Sequence, residues 1–194
     1  EINGVHVNDF LCLYSGTHGI ANGLDILIDV AAELTSRGNN TIKFVLVGDG
    51  KLKLDLIAKA NEQHLKNIIF LDPLNKADLS KLMNTCNIGM QLLANIPAFY
   101  YGTSPNKFFD YIHAQVPQIT MNFPEYKRIN DYAEVAILLD DLKVETIANA
   151  LNELLNNNQK YTLLQTNCIK AREQFNWEVE ENKLISFYKK ILES

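Results

Sequence analysis

Ile42-Lys-Phe-Val-Leu-Val47, followed at once by Gly48-Asp49-Gly50, is the stretch that decides the fold. Its residues are largely β-branched or aromatic, which suits a strand. Apart from Lys43 it is continuously apolar, the pattern of a strand covered on both faces. Gly48-Asp49-Gly50 then turns the chain. A helical pattern follows from about Lys51 to Gln63, with Leu52, Leu56, Ile57 and Ala60 on one side. The same strand–turn–helix unit recurs in both directions. Upstream, Leu11-Cys-Leu-Tyr-Ser15 ends at Gly16. After a loop from Thr17 to Asn22, the residues Leu24, Leu27, Ile28, Ala31 and Leu34 recur at helical spacing, and Gly38 closes that helix. Downstream, Asn67-Ile-Ile-Phe-Leu71 and Ile88-Gly-Met-Gln-Leu-Leu93 read as strands, with a short helix around Asp78 to Met83 between them. Ala94 to Thr103, carrying Pro97 and Gly102, reads as a long loop. Strands are expected around Gln118-Ile119-Thr120 and Val135 to Leu139, and helices near 143–157, 159–173 and 177–192.

Short apolar strands alternating with helices predict an α/β fold: a Rossmann-like, doubly wound parallel sheet of about six strands with helices on both faces. The whole chain, 1–194, reads as a single domain. Sheets of this kind bind ligands beyond the carboxyl ends of their strands. The loops Gly16 to Asn22, Gly48 to Gly50, Leu71 to Leu74, Leu93 to Pro105 and Met121 to Pro124 are therefore the places to look.

The chain has 194 residues, 47% hydrophobic and 21% charged, an ordinary globular composition. A net charge of −5 gives no reason to expect nucleic acid as a partner. Cys12, Cys86 and Cys168 are odd in number, far apart and without metal-ligand spacing, which favours structural thiols in a reducing, cytoplasmic setting. No stretch has the apolar length of a membrane span. The chain begins at Glu1 with a short polar lead-in, as a piece of a longer protein would.

Tyr101-Gly-Thr-Ser-Pro-Asn-Lys-Phe-Phe-Asp-Tyr-Ile-His113 carries the chemistry. Pro105 suits the first helical position and Ser104 can cap that helix start. Such a start offers free backbone N–H groups and a positive dipole end, a seat for phosphate. Lys107 adds a full charge one turn in. Asp110, three residues on, falls near the same face. A cation near phosphate and a carboxylate near sugar hydroxyls suit a nucleoside diphosphate. The structural alternative is a solvated surface Lys/Asp pair on a helix that merely begins with Ser-Pro.

Other motifs are missing. There is no Gly-x-Gly-x-x-Gly, P-loop or Gly-x-Ser-x-Gly pattern. The four histidines have no metal-ligand spacing. His18, in a strand-end loop, either donates to phosphate or sugar or is a loop residue without a ligand; the sequence favours neither. Asp49 is read as a turn former. Phe99, Tyr100 and Tyr101 are read as loop packing, with sugar stacking as the alternative, and Trp177 as an anchor that buries itself under the terminal helix.

In order along the chain, Tyr14-Ser-Gly16 with Asn22-Gly-Leu-Asp-Ile-Leu-Ile28, Phe44-Val-Leu-Val-Gly-Asp-Gly50, Asn67-Ile-Ile-Phe-Leu71 with Leu79 to Leu82 and Cys86-Asn-Ile88, Ser104-Pro-Asn-Lys107 through Asp110 to Pro117, and Phe175-Asn-Trp177 resemble the C-terminal, donor-binding half of a GT-B glycosyltransferase of the group 1 (family 4) class. The spelling of the first loop and of Tyr101 to Lys107 is similar to a bacterial subgroup that builds surface polysaccharides such as O-antigen or capsule. Two departures stand out. Thr17 and Asn22 hold positions where family members often carry Arg and Lys. The Glu-x7-Glu pattern ends at Asp110 but begins at Gly102.

The resemblance implies a retaining transfer from a nucleoside diphosphate sugar, with uridine the first guess for the base, to a glycan or lipid-linked acceptor held by an N-terminal domain that this chain lacks. It implies that Lys107 stabilises the departing phosphate and Asp110 binds ribose. Gly16, Thr17, Ser104 and Asn106 line the diphosphate, with His18, Gly48 and Thr103 beside the donor, and the backbone after Leu71 reaches the base. The absence of any Asp-x-Asp favours a metal-free route without a cofactor. The segment 175–194 is expected to be the helix that crosses back to the N-terminal domain, and the longer protein to be cytoplasmic or peripheral at the inner face of the membrane. By itself the chain is expected to bind donor weakly and transfer nothing. The rival readings are a nucleotide-sugar epimerase of related fold and a non-catalytic Rossmann-like binding module.

Overall fold

The computed structural model describes residues 4–94, 96–103 and 106–193, without the side chains of Phe99 and Tyr101. Strands β1 (Phe10–Ser15), β2 (Ile42–Val47), β3 (Ile68–Leu71), β4 (Ile88–Gln91), β5 (Gln118–Met121) and β6 (Ala136–Leu139) form one sheet in the order β3-β2-β1-β4-β5-β6. Every pairing is parallel. Between them run helices α1 (Leu24–Ser36), α2 (Lys53–Glu62), α3 (Lys76–Met83), α4 (Pro97–Gly102), α5 (Asn106–His113) and α6 (Pro124–Tyr132); α7 (Val144–Asn156), α8 (Asn158–Gln174) and α9 (Trp177–Leu192) follow the last strand. The expected doubly wound architecture is thus present.

Alternation along β1 shows how the sheet is covered. Phe10, Cys12 and Tyr14 join the larger core cluster with Leu24, Leu27 and Ile28 of α1. Leu11 and Leu13 join a smaller cluster with Met83, Cys86 and Tyr111. Successive side chains point to opposite faces of a strand, so a strand apolar at every position needs a cover on each side. Helix α5 seats itself closely on the smaller side. The Tyr111 hydroxyl donates to the Leu13 carbonyl at 2.9 Å. Its ring lies against Gly89, where any Cβ would meet it at 2.5 Å.

The order of the strands matters for the site. β1 has β2 on one side and β4 on the other, and the chain winds away from it in both directions. The reversal leaves a crevice above the carboxyl ends of β1 and β4. Register brings β1 and β2 to an end together, Ser15 opposite Val47. Gly16 and Gly48 therefore leave the sheet side by side. The Gly16 N–H donates to the Val47 carbonyl at 2.9 Å. A Cβ on Gly48 would stand 2.0 Å from the Gly16 carbonyl oxygen, and its φ of +141° is one that side chains rarely adopt.

Three elements depart from the sequence reading. Ala94 to Thr103 is not all loop, because Pro97 opens the short helix α4. Pro124 likewise opens α6, which holds only Tyr126 and Ile129 in the core. Proline at the first helical position costs no hydrogen bond, so both prolines begin helices where the sequence reading had loops. Trp177 is not an anchor: it is 63% exposed, and α9 contributes no buried residue. The proposed Ser104 cap lies outside the described residues. All three cysteines are free and buried.

Candidate donor site at the switch point

A cleft of about 530 Å³ opens above the switch point. Its floor is Ser15, Gly16 and Thr17. One wall is the turns after β2 and β3, with Gly48, Asp49, Pro73 and Leu74. The other is the first turn of α5, with Asn106, Lys107 and Asp110. Thus Gly16, Thr17, Gly48, Asn106, Lys107 and Asp110, far apart in sequence, line one cavity. Tyr111 on Gly89 fixes how low α5 sits, and hence where Lys107 and Asp110 project.

Lys107 is the sharpest feature. Its Nζ lies 5.3 Å from the centroid of the Tyr14 ring, a cation–π contact. Nζ also comes within 3.2 Å of the place a Gly16 Cβ would occupy, so a side chain there would push it aside, on a backbone whose φ of +148° side chains rarely adopt. Burial pushes its pKa below the ordinary lysine value, and the nearby Asp110 carboxylate partly opposes that shift. A desolvated ammonium facing an open cleft is electrostatically unsatisfied and attracts an anion.

The floor loop is built stiff. The Tyr14 hydroxyl and the Asn22 Nδ2 both donate to the Thr17 carbonyl, each at 2.8 Å. The His18 N–H donates to the Asp49 carbonyl at 2.8 Å, and the His18 carbonyl accepts from Leu52 N–H at 3.0 Å. Asn22 therefore braces the loop by its amide and supplies no charge.

The remaining candidates fall elsewhere. His18 turns its ring inward: it is fully buried, between Tyr14 and Phe70, and neither ring nitrogen has a partner. Burial and the Lys53 ammonium push its pKa below the usual imidazole value, while Asp49 pulls the other way. Its side chain is not part of the cleft lining. Asp49 forms its own turn, its Oδ1 accepting from Gly50 N–H at 2.8 Å, and also faces the cleft. Leu71 offers no free carbonyl, since it accepts from Gly48 N–H at 3.2 Å and from Lys53 Nζ at 3.2 Å. Thr103 caps the end of α4, away from the cleft lining and close to the Tyr126 phenol. That phenol accepts from Gln91 Nε2 at 2.8 Å. Ser104 lies outside the described residues. Among the described residues no cluster of His, Cys, Asp and Glu is arranged to hold a metal ion, and no helix is long and apolar enough to cross a membrane.

Sequence reasoning missed Tyr14 and Lys53, and it marked the loop Leu71 to Leu74 without singling out Pro73 and Leu74. Tyr14 had a signal: a phenol at the carboxyl end of the strand next to the switch point. The others depend on which strands become neighbours.

The fold is shared widely among solved structures. The sucrose-phosphate synthase from Thermosynechococcus elongatus superposes with a TM-score of 0.81 at 16% identity, over 97% of this chain and 47% of that one. Anabaena HepE, solved in complex with UDP, gives 0.80 at 16% identity, over 94% and 49%. The catalytic domain of the cholesterol-α-glucosyltransferase from Helicobacter pylori gives 0.69 at 14% identity, over 86% and 99%. This chain spans about half the length of the first two. No curated protein sequence matches it. The model of the family "Glycosyl transferases group 1" matches residues 1–175. The chain, with its six-stranded parallel sheet and its switch-point cleft, belongs to the group 1 glycosyltransferases as a C-terminal domain of the GT-B type.

Proposed function

We propose that this domain binds the nucleoside diphosphate sugar, with a UDP-sugar favoured, from which the full protein transfers a hexosyl or acetamidohexosyl group. The observation that carries the reading is the desolvated Lys107 ammonium, held over Tyr14 beside Gly16 at the mouth of the switch-point cleft. The diphosphate lies against Lys107, Asn106 and the Gly16–Thr17 backbone, and Asp110 accepts hydrogen bonds from the ribose. The base sits between the turns after β2 and β3, against Pro73 and Leu74.

In the reaction, the bond from the sugar C1 to the β-phosphate oxygen breaks and a bond from C1 to the acceptor hydroxyl forms. Negative charge grows on the departing diphosphate. Lys107, itself desolvated, stabilises it as a fixed charge held where that charge grows. The departing phosphate takes the proton of the acceptor hydroxyl, on the same face from which it left, so the anomeric configuration is retained. Lys107 replaces a metal in this scheme, and no cofactor is required. The acceptor is a glycan or a lipid-linked glycan held by a further domain, in polysaccharide biosynthesis of the O-antigen or capsule kind, at the cytoplasmic side of a bacterial membrane. HepE, solved with UDP and with UDP and glucose, supports the choice of uridine.

A calorimetric titration tests this. The chain is titrated with UDP, GDP and their N-acetylhexosamine conjugates, without metal and then with magnesium. Metal-independent binding of one nucleotide is expected, weakened at least about tenfold in Lys107→Ala, the loss of one charge-assisted hydrogen bond. Equal affinity in wild type and Lys107→Ala would remove Lys107 from the site.

A further inference from the structure

Lys53 opens helix α2, and its side chain is only 12% exposed. Nζ donates to the Gly48 carbonyl at 2.9 Å, to the Leu71 carbonyl at 3.2 Å and to Asp72 Oδ1 at 2.7 Å. The two carbonyls end adjacent strands, β2 and β3. The turns that follow, Gly48–Asp49 and Pro73–Leu74, make one wall of the cleft. Apart from Lys53, the Gly48 N–H to Leu71 carbonyl bond at 3.2 Å is the hydrogen bond that joins them there. Carbonyls at strand ends repel one another, and the ammonium placed between them turns that repulsion into a clamp. Holding it there costs desolvation, which three acceptors are needed to offset.

A lysine ammonium has three donors, and all three are committed. Lys53 therefore has none left for a ligand. We propose that Lys53 is a positioning residue for the nucleoside half of the donor: it fixes the distance between the turns after β2 and β3, and so the width of the slot that discriminates one base from another. This rests on the donor-site reading above. Lys107 and the first turn of α5, on the opposite wall, hold phosphate without help from Lys53. The clamp thus acts on the base and ribose and leaves diphosphate binding alone.

The test compares UDP, GDP, ADP and inorganic pyrophosphate by calorimetry in wild type and Lys53→Met, which keeps the length of the side chain and loses every donor. The expected result is a UDP Kd raised about tenfold with the pyrophosphate Kd changed by about twofold or less. The preference for UDP over the other nucleotides should shrink with it. Equal weakening of UDP and pyrophosphate would mean that Lys53 acts through general stability or charge, and would overturn the proposal, as would unchanged base preference. Should Lys53→Met not fold, Lys53→Gln keeps a neutral pair of donors and reads the same ratio in milder form; an unaltered UDP to pyrophosphate ratio in a folded Lys53→Gln overturns it equally. Wild-type protein that binds neither UDP nor pyrophosphate would sink the donor site itself and this inference with it, whereas wild-type binding with unaltered variant ratios sinks only the clamp.

Discussion

The Lys107 ammonium lies 5.3 Å from the centre of the Tyr14 ring, and the Tyr14 hydroxyl donates at 2.8 Å to the Thr17 carbonyl. One side chain at the end of β1 thus holds both the cation of the cleft and the loop that forms its floor. The two effects separate by substitution. Tyr14→Phe keeps the ring and loses the bond to Thr17. Tyr14→Leu loses both. The ring face contributes about 0.5–2 kcal/mol to a partly desolvated cation, so Tyr14→Leu should bind UDP about twofold to thirtyfold more weakly than wild type, with Tyr14→Phe in between. Calorimetry on the three proteins checks the order. A Tyr14→Leu protein that matches wild type would dissociate Tyr14 from the site.

The depressed pKa of Lys107 gives the site an alkaline limit. Burial lowers the value below that of a free lysine, and a bound diphosphate favours the charged form. Binding is therefore strongest while Lys107 is protonated and weakens as pH rises through its value in the free protein. The fall should begin at lower pH than an exposed lysine would allow. UDP affinity measured from neutral to alkaline pH should show it, and Lys107→Arg, which stays charged, should flatten the profile. An identical decline in Lys107→Arg would assign it to another group.

His18 sets an acid limit on the fold. Its ring is buried with neither nitrogen bonded, next to the Lys53 ammonium, with Asp49 as the opposing carboxylate. In the unfolded chain an imidazole protonates near pH 6.5. The native state resists that proton, so below about that pH the unfolded state binds more protons and stability falls. The contribution is complete above the unfolded value and shrinks as pH drops towards the folded one. Denaturant unfolding at a series of pH values should show a steeper acid loss in wild type than in His18→Leu. Parallel curves for the two proteins would mean that His18 does not titrate with folding.

Much of this architecture was legible in the sequence, and the limits have physical causes. Val45, Val47 and their neighbours announced a strand covered on both faces, because burial on two sides removes the polar alternation. The proximity of Lys107 and Asp110 was legible because both lie on one helix turn, where spacing alone predicts it. Helix α6 was not, since Tyr126 and Ile129 are its only core residues and two positions make no periodic pattern. The burial of His18 and the three bonds of Lys53 depend on β1, β2 and β3 becoming neighbours. Local spacing carries no trace of that. Trp177 misled for the opposite reason: a large aromatic is usually buried, but α9 carries no buried residue and leaves Trp177, Phe187 and Tyr188 exposed.

Gly89 is where fold and site meet most tightly. Any side chain there would place its Cβ 2.5 Å from the Tyr111 ring, and the ring cannot swing away without breaking its hydroxyl's bond to the Leu13 carbonyl. Over-packing of a filled core costs about 1–3 kcal/mol, so Gly89→Ala should lower unfolding stability by at least about that amount. The relief available to the protein is to lift α5 from the sheet. Lys107 and Asp110 ride on that helix, and their distance from Gly16 would grow with it. Gly89→Ala should therefore lose UDP affinity as well as stability, although Gly89 touches no ligand. Chemical denaturation and calorimetry on the same preparation check both, and stability lost with UDP affinity intact would show that α5 does not move.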